Sequence, residues 1–235
     1  MPGCVGCGVT LSLFADPEPP KVQGIDLRCA PASALFDRGL AAHLVTADPP
    51  WSEYTQRPGT AAPELHYPVM SLDDIGADLD SAYDCTLPGG RLALWTCWPL
   101  LEKTLDMMRE TRWGPLVSGG AWVKTHSQGV GFHWLGRSEV VLMYIRKGGT
   151  PFTHRGENLG NAYVSPRSQH SEKPTSWEAA WLRRWVPPNG LCLDLYAGLA
   201  PMARACHATG RRYIGAEIDP DRHHQAMCRL ALARE

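Results

Sequence analysis

The chain has no apolar run near the ~18–20 residues needed to cross a bilayer. Its opening residues, Met1-Pro2-Gly3-Cys4, also lack the basic and long apolar regions of a secretory signal. A membrane-spanning or exported protein is therefore not expected; the expected location is the cytoplasm of a bacterium or of a phage-infected host cell. Neither an internal repeat nor a low-complexity tract interrupts the 235 residues. A disulfide framework is missing too. The eight cysteines (Cys4, Cys7, Cys29, Cys85, Cys97, Cys192, Cys206 and Cys228) are scattered, which in a chain this long reads as reduced, mostly buried thiols. Cys4 and Cys7 form half of a possible zinc site, but no second Cys or His pair completes four ligands, so no metal is expected. Excess charge is absent as well: 23 basic against 24 acidic residues leave a net −1.

Apolar material is plentiful. At 44% apolar and 20% charged residues the chain can build a packed core, and its length fits one domain. We expect a tail over 1–21, Gly-, Pro- and Cys-bearing without periodicity, and a single domain over 22–235. Charge is unevenly spread: residues 121–175 carry seven basic against three acidic residues and four histidines, whereas residues 1–120 carry eight against fifteen. A local basic face of this kind can meet phosphates, or can be a solvated loop.

From Val22 onward short β-like runs alternate with helical patterns, the signature of an α/β fold with a mostly parallel sheet. The pattern predicts seven strands near 22–28, 43–48, 90–96, 117–124, 138–146, 191–196 and 212–217. It predicts helices near 31–39, 72–84, 98–111, 174–186, 201–209 and 219–233. Ser71 with Asp74 forms an N-terminal capping pair, Pro88-Gly89-Gly90 stops the helix before it, and Asp219-Pro220 opens the last one. Between 117–124 and 138–146 no full helix fits, which predicts an antiparallel hairpin closing one edge of the sheet. The stretches 51–69 and 147–173 resist assignment; loops of that length in a compact domain are usually functional. Trp177, Trp181 and Trp185 recur every four residues on one helix face and read as core or interface.

The strongest chemical signal is Asp48-Pro49-Pro50-Trp51 directly after the apolar strand His43–Ala47. It places an acid, two rigid prolines and an aromatic at the carboxyl edge of the sheet, where open α/β sheets bind ligands. An exocyclic amine on a nucleobase is a poor nucleophile because its lone pair is delocalised into the ring. An Asp carboxylate and a proline carbonyl, each accepting one N–H, would localise and aim that lone pair, while Trp51 stacks on the base. A second constellation, Leu191-Cys192-Leu193-Asp194-Leu195-Tyr196-Ala197-Gly198-Leu199-Ala200-Pro201, is a buried strand running into a small-residue turn and a helix. Arg212-Tyr213-Ile214-Gly215-Ala216-Glu217 follows as a strand ending in an acid, suited to ribose hydroxyls.

Asp48-Pro49-Pro50-Trp51 resembles the catalytic motif of the amino-methyltransferases, and in its tryptophan form that of the eukaryotic mRNA adenosine-N6 methyltransferase catalytic subunit and its bacterial and phage relatives. The likeness continues through His66-Tyr67-Pro68-Val69-Met70-Ser71, Leu92–Thr96, Ala121-Trp122-Val123-Lys124, Gly129-Val130-Gly131, Arg137-Ser138-Glu139, Arg146-Lys147-Gly148 and His170-Ser171-Glu172-Lys173-Pro174. It covers roughly residues 22–235. The resemblance implies a Rossmann-like, S-adenosylmethionine-dependent fold with the catalytic half first and the cofactor half last, a circularly permuted order. It implies Asp48, Pro49, Pro50 and Trp51 as catalytic. For the cofactor it implies Asp48, Lys173 (to the methionine carboxylate), Asp194, Tyr196, Ala197, Gly198 and Glu217. The motif order would bring Asp26 near the adenine amine, although Asp26 could equally cap a strand end. The sequence departs from the pattern at Ala200, where a second glycine commonly falls, which questions the turn geometry rather than the ligand.

For the substrate, Trp51, Tyr54, Lys124, His133, Trp134 and Arg137 are the candidates, with His126 and His154 as phosphate or solvent contacts. The implied partner is nucleic acid, DNA before RNA, with a dimer open. The implied reaction is N6-adenine methylation of a flipped base. Alternatives are an N4-cytosine DNA methyltransferase, an RNA adenosine-N6 methyltransferase and a non-catalytic nucleic-acid-binding homologue.

Overall fold

The computed structural model describes residues 23–36, 39–52, 69–125, 133–154, 159–166 and 172–232. Among the described residues eight strands form one sheet: β1 (Ile25–Cys29), β2 (Ala42–Ala47), β3 (Thr86–Thr96), β4 (Ser118–Lys124), β5 (Ser138–Ile145), β6 (Ala162–Ser165), β7 (Leu191–Asp194) and β8 (Arg212–Glu217). Their order across the sheet is β1-β8-β7-β2-β3-β5-β4-β6. β5 runs antiparallel to both β3 and β4, and every other neighbouring pair is parallel.

Five α-helices among the described residues cover the two faces: α1 (Leu72–Asp84), α2 (Leu101–Arg109), α3 (Thr175–Trp185), α4 (Pro201–Thr209) and α5 (Pro220–Leu232). Alternation along the strands sorts the core into two layers. Leu44, Ala93, Trp95, Trp122, Val141 and Tyr213 face α3, α4 and α5. Val45, Leu92, Leu94, Leu142 and Leu193 face α1 and α2. The central strands β2, β3 and β7 are buried on both faces, which is why they read as nearly continuous apolar runs. No helix among the described residues is long and apolar enough to cross a membrane.

Local chemistry sets the helix ends. The Ser71 hydroxyl accepts from the Asp74 amide at 3.2 Å and donates to the Asp74 carboxylate at 2.6 Å, closing the first turn of α1. The Asp219 carboxylate accepts from the amides of Asp221 and Arg222, with Pro220 at the first helical position of α5. Trp177 and Trp181 are buried and Trp185 packs beside them, so the four-residue tryptophan ladder of α3 is core.

Four expectations are corrected. The sheet has eight strands, not seven. The extra strand, β6, lies inside the unassigned stretch 147–173; it is short and half-exposed, so it shows no apolar alternation and is held by backbone pairing to β4. The hairpin β4–β5 therefore does not close the edge, because β6 lies outside it. The helix expected over 31–39 is a single 3-10 turn, Ala32–Leu35. Pro88-Gly89-Gly90 does not end α1: the chain leaves the helix at Cys85, and β3 already runs from Thr86 through the prolyl-glycyl segment.

Candidate functional site

Strand register decides which ends of the chain meet. β2 lies beside β7 with Thr46 opposite Asp194, and the Leu195 amide donates to the Thr46 carbonyl at 3.1 Å. Asp48, two residues past Thr46, therefore stands at the same sheet edge as the turn after Asp194. β8 joins β7 in parallel and ends at Glu217. β5, reversed, begins at that edge, its Val140 opposite Thr96 at the end of β3. The early acid motif and the late turn thus share one cleft.

The catalytic-type loop is held tightly. The Pro49 carbonyl accepts from the Trp51 amide at 3.0 Å, and the Pro50 carbonyl accepts from the Met70 amide at 2.8 Å. Trp51 in turn forms an isolated parallel bridge with Met70. One lone pair of the Pro49 carbonyl is therefore engaged inside the turn and the second remains for another donor. Trp51 is 9% exposed and belongs to the apolar cluster that includes Leu35 and Val45, so its ring is largely buried rather than standing open in the cleft.

Asp48 is one end of an alternating chain of charges. The Lys173 ammonium donates to Asp48 Oδ2 at 2.5 Å and lies 2.9 Å from Glu139 Oε2, and Glu139 Oε1 accepts from Lys124. The Lys173 ammonium also sits 5.1 Å from the centre of the Trp95 ring, and that of Lys124 sits 4.9 Å from the centre of the Trp122 ring. Burial pushes the Asp48 carboxyl up while the Lys173 ammonium pulls it back. Glu139, against its own burial, is drawn down to about 2 by Lys173 and then Lys124. Lys173, opposed by burial, is held above its ordinary range by Asp48 and Glu139.

Both lysines named from the sequence are engaged with carboxylates. Lys173 faces the two carboxylates of Asp48 and Glu139. Lys124 is buried with its charge paired to Glu139.

The turn after β7 combines two left-handed residues. Gly198 has φ +56°, and a Cβ there would meet nothing within 4 Å. Ala200, with φ +52° and ψ +52°, is fully buried and caps α4. The missing glycine is thus replaced by an alanine that adopts the left-handed conformation at a steric cost. Glu217 fastens the turn: its two oxygens accept from the amides of Gly198 (2.7 Å) and Asp219 (2.8 Å). The Ala197 amide donates to the Ala216 carbonyl at 2.8 Å. Tyr196 reaches across to α1, its hydroxyl donating to Asp78 at 2.9 Å. Asp194 is buried and its carboxyl rises to about 7, desolvation outweighing the hydrogen bond from the Tyr213 hydroxyl at 3.0 Å. Gly215 makes room for that bond, since a Cβ on it would lie 2.2 Å from the Tyr213 hydroxyl.

Asp26 does not reach this cleft. It stands opposite Ile214, three residues before Cys29, the partner of Glu217. At about 3.3 Å per residue that places it ~10 Å back from the edge. Its carboxylate is half-exposed and binds Arg28 at 2.9 Å. The position at the end of β1 belongs to Cys29. Of the substrate candidates, His133, Trp134 and Arg137 are exposed ahead of β5, at the cleft edge, with Trp134 88% exposed. Tyr54 and His126 lie outside the described residues.

Sequence reasoning missed Glu139 as a site residue, although the quoted Arg137-Ser138-Glu139 segment contained it. It also missed the anchor in which Glu172 is bonded to Arg204 and to Arg229 (3.2 Å). A third omission was Glu178, an acid set between Trp177 and Trp181 on a helix face otherwise apolar.

No family model matches this chain. It is 34% identical over 73 residues, 31% of this chain and 32% of the other, to a protein named "Putative methylase YubD" from Escherichia coli (strain K12). The chain thus matches about a third of that relative's length. Among solved structures it is similar to M1.HpyAVI in complex with SAM (TM-score 0.69, 16% identity, 88% of this chain and 98% of that one). It is also similar to the PvuII DNA methyltransferase, cytosine-N4-specific (TM-score 0.67, 11% identity, 89% and 93%). At such identities the likeness establishes the fold: the α/β architecture of these methyltransferases.

Proposed function

We propose that this chain is an S-adenosylmethionine-dependent methyltransferase acting on the exocyclic amine of a base in nucleic acid, adenine N6 in DNA by preference. The observation that carries the reading is the Thr46–Asp194 register, which puts Asp48 and the Asp194–Ala200 turn on one cleft. The shared fold with M1.HpyAVI and PvuII and the short likeness to YubD support it. The PvuII likeness equally favours cytosine N4 as a second reading, because both amines present the same delocalised lone pair.

The residues fit the cofactor. Open space lies over Gly198, Glu217 stands at a strand end with lone pairs beyond its two amide contacts, and Asp194 and Lys173 provide charges of both signs nearby. When bound, S-adenosylmethionine supplies an activated methyl group on a sulfonium sulfur. Glu217 would hold the ribose, with Asp194, Tyr196, Ala197 and Gly198 lining the rest and Lys173 at the methionine carboxylate.

Asp48 and the remaining lone pair of the Pro49 carbonyl would each accept one N–H of the flipped base, and the largely buried Trp51 would hold the loop that presents them. Lys173 positions the Asp48 carboxylate. The sulfonium would supply the methyl group in exchange for its own sulfur–carbon bond, Asp48 and Pro49 would aim the amine nitrogen at it, and the extra proton of the amine would leave to solvent. No base is required before attack, so positioning and electrostatics supply the acceleration.

Labelled cofactor offered to separate DNA and RNA pools, followed by nucleoside analysis, tests the reading. N6-methyladenine in the DNA pool is expected; N4-methylcytosine would establish the second reading. Asp48→Ala should reduce transfer by roughly 10²–10³-fold, the scale for losing a preorganised partner of the reacting group, while cofactor binding survives. Turnover close to that of the unaltered chain would refute the mechanism.

A further inference from the structure

The end of the fold away from the cleft holds an open cavity of about 500 Å³. α3 starts two residues after Lys173 and runs ~16 Å to the other edge of the sheet, where β5 ends and β7 and β8 begin. Phe152 reaches the cavity from the segment after β5, Arg183 and Arg184 from the last turn of α3, Pro188 from the link to β7, and Arg211 from the residue before β8. The wall is fixed in place. The Arg91 guanidinium donates to the Phe152 carbonyl at 2.6 Å and to Thr153 Oγ1 at 2.8 Å, and its carbon lies 5.6 Å from the centre of the Trp185 ring. Arg211 donates to the Val186 carbonyl at 3.0 and 3.2 Å and to that of Thr209, and Arg184 donates to the His154 carbonyl. Backbone carbonyls thus aim these guanidinium groups without cancelling their charge, and each keeps N–H donors to spare. Among the described residues none of Arg91, Arg183, Arg184 and Arg211 is paired with a carboxylate. They repel one another instead: burial and then Arg184 draw Arg91 down to about 10, and burial and then Arg183 draw Arg211 below its ordinary value. The carboxyl end of α3 favours Arg183 and Arg184, but it accounts neither for Arg211 nor for the cavity that the three share. An anionic ligand group would relieve that repulsion.

We propose that this cavity is a ligand site for a nucleotide-type phosphate monoester, its phosphate held by Arg183, Arg184 and Arg211 and its flat body lying on Phe152, Leu159 and Pro188. A dianion with three terminal oxygens matches three forked donors better than a carboxylate does. The volume falls within the ~300–1,000 Å³ of small-ligand pockets, and a concave site of this size suits a free nucleotide more than a length of strand. The site stands apart from the methyl-transfer cleft and does not rest on that reading.

Thymidine 5′-monophosphate is the probe, because it carries the phosphate and a flat base but no exocyclic amine for the cleft. Calorimetric titration into the full chain should show a single saturable site. Thymidine, which lacks the phosphate, should bind at least about tenfold more weakly, the scale of one lost charge-assisted hydrogen bond. Arg183→Gln should weaken the mononucleotide by at least about tenfold with an unchanged thermal midpoint, since that side chain is exposed. Arg211→Lys keeps the charge but loses the fork, and should weaken it as well. An unphosphorylated oligothymidylate, which has only phosphodiesters, should not lose affinity in Arg183→Gln. No saturable binding of the mononucleotide, equal affinity for thymidine, or an unaffected Arg183→Gln would each overturn the proposal. Oligothymidylate binding tighter than that of the mononucleotide and lost in Arg183→Gln would overturn it in favour of a nucleic-acid strand.

Discussion

Lys173→Gln removes the ammonium between Asp48 and Glu139 while keeping a polar side chain of similar reach. Glu139 is held at about 2 against an ordinary 4.5. At about 1.4 kcal/mol per pKa unit, its ionised form contributes about 3 kcal/mol to folding at neutral pH. Its side chain is 18% exposed and that of Lys173 only 7%, so solvent screens the contact little. Because the folded value is the lower one, this stability is complete above pH 4.5 and is lost as pH falls through about 2. Lys173 makes the larger of the two charge–charge contributions to Glu139, and it also pairs Asp48. Removing one partner of a buried pair typically costs about 3–5 kcal/mol. We therefore expect the variant to lose about 3 kcal/mol in urea unfolding at pH 7, and that deficit to shrink steadily towards pH 2. A series of urea midpoints at half-unit pH steps measures this. A deficit of the same size at every pH would mean that Lys173 acts through packing on Trp95, and the electrostatic reasoning would fail.

Two further substitutions probe the cofactor turn. Gly215→Ala drives a methyl group into the buried Tyr213 hydroxyl and disturbs its bond to Asp194. Overpacking costs about 1–3 kcal/mol and an unmade buried hydrogen bond about 1–3 more, so the thermal midpoint should fall by at least about 4 °C; an unchanged midpoint would refute the packing argument. Ala200→Gly deletes a buried methyl (about 0.8 kcal/mol) and loosens the unfolded chain (about 0.4–1), but relieves a left-handed alanine (about 1–2). Its stability should stay within about 1 kcal/mol of the parent by chemical denaturation. Ala203→Gly, equally buried but helical, should lose about 2 kcal/mol from the lost methyl and helix propensity. Equal losses at the two positions would show that the turn carries no strain.

What the amino-acid sequence determined by itself is what short-range physics controls. The capping pairs at Ser71 and Asp219, the proline at the start of α4, the tryptophan ladder of α3 and the doubly buried central strands were all legible, because each depends on neighbours within a few residues. The acid-prolyl-prolyl-tryptophan loop was legible for the same reason: its rigidity and its place after an apolar strand are local facts. β6 was not, since an edge strand needs only backbone pairing and carries no hydrophobic alternation. Nor was the retreat of Asp26 from the cleft, because a register is a relation between two strands and neither strand contains it alone. The ladder Asp48–Lys173–Glu139–Lys124 joins residues from four separate segments, and its ordering of charge comes from burial that no single segment has. The tertiary structure decided these matters, because removing charges from water makes their pairing obligatory only after the chain has closed around them.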